Sequence, residues 1–217
     1  MSLLKNHRGP VFVIIRFPYD LTLTCKNALM KTLSIHANYS GCISGICTSM
    51  KVLEGNWPGT MGVAILTFKS LRDAELWKDS VPDIKQPDWL RGVDMLIVPI
   101  KHLPAPNKGF VQIMDMCLHD LASFEHNYAC EAKEVLNYWG ACAGVVSAPS
   151  DCIHKVKGLW DPNYLIINFW PSCQVFEEAM KSDQYKDLMN KRNHFSASHT
   201  CVFQLQPIVE ANPCLVP

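Results

Sequence analysis

The five-residue phrase LEGNW at Leu53 to Trp57 returns as VKGLW at Val156 to Trp160, with Gly55 and Gly158 standing 103 residues apart. The same shift superposes Gly41 on Gly144, Ser44 on Ser147 and Trp57 on Trp160 without a gap. On either side the register drifts by a few residues, but the order of segments persists. VFVIIRF at Val11 to Phe17 answers FVQIMDM at Phe110 to Met116, and GVAILTFKS answers YLIINFWPS. A repeat of about 100 residues is domain-sized and too long for a solenoid unit. The chain must therefore fold as two versions of one module.

Each module reads in the same order. Val11 to Phe17 is a β-branched and aromatic run, hence a strand, and Leu21 to Tyr39 places apolar residues every third or fourth position, hence a helix. A second strand is expected over Cys42 to Leu53, a turn at EGNWPGT, and a third strand from Met61 to Phe68. Ser70 with Asp73 marks the start of a helix through LRDAELWKDS, and Met95 to Ile100 closes the module as a strand. The second module repeats this with strands at Phe110 to Met116, Cys142 to Val156, Tyr164 to Phe169 and Thr200 to Gln206. Its first helix, Leu121 to Trp139, aligns Leu121, Phe124, Tyr128, Ala132, Val135 and Trp139 in one stripe, and its second follows Ser172.

The order β-α-β-β-α-β makes an antiparallel sheet with both helices on one face. VFVIIRF is apolar at six of seven places, so its other face also needs cover. One module can supply it to the other, sheet against sheet. The expected fold class is α+β, two fused ferredoxin-like repeats packed as an intramolecular dimeric α/β barrel. The repeats span 8–103 and 109–209, joined by a Pro-rich linker at 104–108 and followed by a C-terminal tail at 210–217.

Bulk properties exclude several partners. Lys and Arg total 20 against 20 Asp and Glu, and the densest basic cluster is the short NKRNH at Asn190 to His194, so no nucleic-acid partner is expected. MSLLKNHRGP has no apolar leader core, and no run approaches the roughly 18 apolar residues of a membrane span. A cytoplasmic protein without a membrane partner follows. The ten cysteines show no C-x-x-C pair and no zinc-type Cys/His spacing, which predicts reduced, mostly buried thiols and no metal. G-x-G-x-x-G, P-loop, G-x-S-x-G and H-E-x-x-H patterns are absent, so no cofactor is expected.

GCISG followed by KVLEG, then an apolar strand ending in FKS and a helix ending in DS, resembles the bacterial family called domain of unknown function 1330. VKG, INFWPS, KSDQY and Arg192 carry the resemblance into the second module. It implies a dimeric α/β-barrel fold over about residues 10–102 and 109–208. Barrels of that superfamily serve as cofactor-independent monooxygenases, isomerases, polyketide cyclases and haem proteins, so the resemblance does not choose a reaction. The acid of the family's LEG phrase stands here as Glu54 but is Lys157 in the second module.

Candidate residues follow from chemistry and from mismatches between the modules. His36 continues the helix face of Leu29 and Leu33, and Tyr39 lies one turn further, which places an imidazole and a phenol together as a catalytic proton-transfer pair. A buried histidine satisfied by a carbonyl is the alternative. The shift of 103 sets Trp139 against His36, so such a site belongs to the first module. Trp57 and Trp160, after the turn glycines, line a ligand pocket or plug the contact between modules. Arg91 and Arg192 precede the last strands and would grip a carboxylate in a pocket or stand as solvated charges on a surface. Asp115 sits mid-strand, where an inward acid needs a partner, so it faces outward or is functional. Glu54, Trp57, Arg91, Asp115, Trp139, Trp160 and Arg192 form the expected ligand-binding set.

Two functional readings emerge. One is a cofactor-independent enzyme acting on an apolar carbonyl or polyketide-like substrate by proton transfer. The other is a non-catalytic binding or scaffold protein for an apolar ligand, with haem binding as a third variant. The partner in each is a small apolar molecule, and the assembly is a monomer of two fused repeats or a further homodimer.

Overall fold

The structure is a computed structural model and describes residues 7–31, 37–80 and 92–208. His36, Arg91 and the tail lie outside the described residues. The first repeat supplies β1 (Val11–Pro18), α1 (Thr22–Lys31), β2 (Gly41–Cys47), β3 (Met50–Glu54), β4 (Met61–Phe68), α2 (Leu71–Ser80) and β5 (Asp94–Pro99). The second begins with β6 (Phe110–Leu118), α3 (Leu121–Phe124), a π-helical turn (Glu125–Ala129) and α4 (Cys130–Tyr138). It ends with β7 (Cys142–Pro149), β8 (His154–Lys157), β9 (Tyr164–Trp170), α5 (Cys173–Lys181), α6 (Asp183–Asn193) and β10 (Ser196–Gln204).

These strands form two five-stranded antiparallel sheets, ordered β2-β4-β1-β5-β8 and β3-β10-β6-β9-β7. The sheets face each other over a shared core that includes Phe12, Ile14 and Ile65 from the first and Ile113, Ile167 and Phe203 from the second. This is the α+β architecture expected of a dimeric α/β barrel within one chain.

The single strands expected over Cys42 to Leu53 and Cys142 to Val156 are each two strands. The chain breaks after Cys47 and after Pro149, and the second piece crosses to the other repeat's sheet. There β3 pairs with β10 and β8 pairs with β5. The reason lies in edges: β5 and β10 would otherwise present unpaired amides and carbonyls, and short, polar MKVLE and HKVK segments cover them. The exchange ties the repeats together by main-chain hydrogen bonds as well as by core packing.

Helix starts match their sequence signals. Asp73 N–H donates to Ser70 Oγ at 3.1 Å, and Val175 N–H donates to Ser172 Oγ at 3.2 Å. Ser182 then accepts from Tyr185 N–H and opens α6, which carries Tyr185, Leu188 and Arg192 inward. The stripe expected from Leu121 to Trp139 is altered by the π turn, whose wider coil re-phases the face. Phe124, Tyr128, Ala132 and Leu136 are buried, whereas Leu121 is 39% exposed and Val135 and Trp139 are only partly covered.

The nine described cysteines are free thiols, but only Cys25, Cys47 and Cys201 are buried, and Cys117, Cys130 and Cys173 are exposed. Burial pushes Cys25 up to about 12 and Cys47 up to about 11, so both stay protonated at neutral pH. No described helix is long and apolar enough to cross a membrane.

Candidate functional site

The two repeated phrases meet at the junction of the repeats. Gly55 and Gly158 turn the chain at φ +69° and +93°. Each turn then docks on the opposite repeat. Leu159 and Trp160 N–H donate to Asp94 Oδ1 at 2.6 and 2.9 Å, and Asn56 N–H donates to His199 Nδ1 at 2.8 Å. Asp94 and His199 occupy matching places, opposite Arg16 and Asp115 in their sheets. Arg16 thus faces Asp94 in one sheet, and Asp115 faces His199 in the other.

Trp57 and Trp160 pack edge to face at 5.4 Å between ring centroids, both nearly buried. The Arg16 guanidinium lies 5.4 Å from the Trp57 ring and 4.7 Å from the Trp160 ring while bonding Asp94 at 2.7 Å. Asp115 accepts from Trp160 Nε1 at 2.8 Å. Burial raises the Asp115 carboxyl above the usual range, opposed by that bond and by His199 and Arg16. These residues fill the junction with one another.

Glu54 and Arg192 come together across the exchange. Arg192, 3% exposed, pairs its Nη2 with Glu54 Oε2 and with Asn193 Oδ1 at 2.9 Å, and its Nη1 approaches Met114 Sδ at 3.8 Å. Ser198 Oγ donates to the same Glu54 oxygen at 2.7 Å. The strand that carries LEG into the second sheet therefore delivers the carboxylate that neutralises a buried guanidinium there.

A cavity of about 450 Å³ opens between α4 with the π turn and the helix-facing side of the second sheet. Met114, Phe124, Tyr128, Ala132, Leu136 and Ile166 give it apolar walls. Its floor is polar. Asn168 Nδ2 donates to Gln112 Oε1 at 3.0 Å, and Asn168 Oδ1 accepts from Gly144 N–H at 2.7 Å. Behind the floor, outside the cavity lining, Gln112 Oε1 also accepts from Trp170 Nε1 at 3.3 Å, and Gln112 Nε2 donates to the Tyr185 hydroxyl at 3.1 Å. Ser147 adds a hydroxyl 2.7 Å from that of Tyr164. Gly144, at φ +60° in the bulge of β7, turns a side without Cβ to the cavity, where an added carbon would meet nothing nearer than Ser147 Cβ at 4.0 Å.

The floor distinguishes the repeats. Gln112 opposite Asn168 holds the register place that Val13 opposite Leu66 holds in the first repeat. The helix-side core of the first repeat is one continuous apolar cluster, whereas that of the second is divided in two. Buried amides cost free energy unless bonded, and here the oxygen and nitrogen of both side chains have partners.

Lys101, His102 and Lys133 stand at the cavity mouth. Lys101 N–H donates to Val145 C=O at 2.8 Å, which fastens the end of the first repeat over the pocket of the second. Desolvation, then Lys133 and Lys101, lowers the pKa of His102 below the usual histidine value, so its imidazole is neutral at pH 7. Burial raises the Tyr128 phenol well above its usual range.

Of the residues singled out from sequence, Tyr39 packs on the first-repeat core, and its hydroxyl lies 2.7 Å from Ser80 Oγ. Trp139 caps α4, with its Nε1 buried and lacking a hydrogen-bond partner. Neither lines the cavity. Gln112 and Asn168 were missed, although both interrupt otherwise apolar strands. Lys133 and Cys130 of α4 are both exposed and both border the cavity.

No family model matches the chain, and no curated protein matches it. Among solved structures it is similar to a protein named as a monooxygenase from Lactobacillus acidophilus, at 13% identity, covering 94% of this chain and 100% of that one with a TM-score of 0.51. A protein named likewise from Fusobacterium nucleatum gives 9% identity, 92% and 93% coverage and a TM-score of 0.51. An anthrone oxidase-like protein gives 10% identity, 95% and 94% coverage and a TM-score of 0.51. At these identities the likeness is one of fold, that of the dimeric α/β barrels.

Proposed function

We propose that the protein binds an apolar small molecule in the second-repeat cavity and acts on it without a cofactor, by proton transfer. The observation that carries this reading is the cavity itself: apolar walls over a hydrogen-bonded amide floor are the usual composition of a ligand site. Its size lies within the range of about 300–1,000 Å³ found for such sites. A neutral imidazole at the mouth, His102, can accept a proton from an activated carbon, and Asn168 and Ser147 can orient an oxygen of the ligand. An apolar carbonyl or polyketide-like compound meets both demands.

A competing proposal keeps proton transfer in the first repeat with His36 and Tyr39, where the phenol of Tyr39 already shares a hydrogen bond with Ser80. A haem fits less well, since the lining holds one histidine, His102, and it is exposed at the mouth beside two lysines. The reading as two fused copies of the domain of unknown function 1330 family is likewise proposed, on the paired GCISG, LEG and VKG phrases.

The test is a fluorescence titration with N-phenyl-1-naphthylamine, a neutral apolar probe. Wild type should bind it, and Ala129→Trp, at a half-buried residue of the π turn that lines the cavity, should fill the space and abolish binding without unfolding the protein. Equal binding by both proteins contradicts the assignment.

A further inference from the structure

The charged side chains that line the cavity are of one sign only. Its lining includes Lys101, Lys133 and His102 and no Asp or Glu. Both lysines and His102 line this one cavity. They come from different repeats: Lys133 projects from α4, and Lys101 is held by its main-chain bond to Val145. Neutral overall composition makes such a local grouping informative. Like charges lining one cavity repel, and an anion bound there relieves that repulsion.

Resting on the cavity as the ligand site, we infer that its ligand is an anionic amphiphile: an apolar ring or chain buried over Asn168 and Ser147, with an acidic group held at the mouth by Lys101 and Lys133. The acidic group stays at the rim because the interior offers amides and a hydroxyl, which cannot neutralise a full charge. Lys101 has a second consequence. As it belongs to the first repeat, the second repeat's specificity depends on the fusion.

Two probes with the same aromatic body separate charge from apolar fit. 8-Anilinonaphthalene-1-sulfonate is anionic and N-phenyl-1-naphthylamine is neutral. The wild-type protein should bind the sulfonate more tightly, and added salt should weaken that preference. Lys101→Ala/Lys133→Ala should weaken sulfonate binding about five- to tenfold, the sum of two partly exposed ion contacts, and leave the neutral probe within about twofold. Ala129→Trp should abolish both. The inference is overturned if the neutral probe binds as tightly as the sulfonate, or if the double variant leaves sulfonate binding intact or weakens both probes alike. Failure of either probe to bind in an Ala129→Trp-sensitive way overturns the cavity assignment as well, so the two failures are distinguishable.

Discussion

Replacing Glu54 by alanine tests whether the strand exchange carries stability. Glu54 reaches the second sheet on β3 and is the carboxylate partner of Arg192, whose side chain is 4% exposed. Breaking a buried pair costs about 3–5 kcal/mol, because the surviving charge stays buried. Here Glu54 is itself 38% exposed and Arg192 keeps Asn193, so water and that amide return part of the loss. About 2–3 kcal/mol is the resulting expectation. For a chain of this size a urea m-value of about 2–3 kcal/mol/M converts it into a midpoint lowered by about 1 M. Glu54→Gln, which still accepts from Arg192 and Ser198, should lose about half as much. The assay is urea unfolding followed by circular dichroism at pH 7. A Glu54→Ala midpoint within about 0.2 M of wild type would refute the argument, since the guanidinium would then not depend on the crossing strand.

Further predictions concern the junction and the floor. Because β3 and β8 are exchanged, the repeats should unfold together, with tryptophan fluorescence and circular dichroism giving coincident transitions; two separated transitions would count against the exchange. Gly158→Ala, at φ +93° with the new carbon 2.7 Å from Asp94 Cα, should lower stability by more than about 2 kcal/mol, measured by the same unfolding. Asp115 has a raised folded pKa, so its carboxyl favours the native state most when protonated. Its contribution is fully present below the ordinary value of 3.8 and is lost as pH rises through the raised one. Asp115→Asn should therefore flatten stability over that window and be no less stable than wild type at pH 7; a steeper dependence would reverse the sign. Gln112→Val with Asn168→Leu, which copies the first repeat, leaves Trp170 Nε1, the Tyr185 hydroxyl and Gly144 N–H without their partners and should lower stability by about 1–3 kcal/mol for each buried group so orphaned; a double variant as stable as wild type in urea would refute the role of this network.

The element order and most helix starts were legible because they rest on local signals: apolar runs such as VFVIIRF, and serines at the starts of helices. The strand exchange was not. MKVLE and HKVK are short and polar, and their partners are decided by which edge stands open in three dimensions. The π turn was hidden for a similar reason, since one wider coil leaves no composition signal yet re-phases Lys133 and Cys130 onto the cavity border. The contrast of His36 with Trp139 directed attention to the first repeat. The second-repeat floor was readable in principle, because Gln112 and Asn168 stand inside apolar strands, but only the pairing register shows them bonded to each other and set against Val13 and Leu66. Glu54, Arg192, Trp57, Trp160 and Asp115 find their partners within the protein.

The location of the site is the central claim, and methionine-methyl NMR tests it directly. Met114 lines the second-repeat cavity, whereas Met95 belongs to the first-repeat core. On titration with N-phenyl-1-naphthylamine, the Met114 methyl signal, assigned through Met114→Leu, should shift in a saturable way while that of Met95 stays in place. A saturable shift of Met95 with Met114 unmoved would put the ligand in the first repeat and contradict the account.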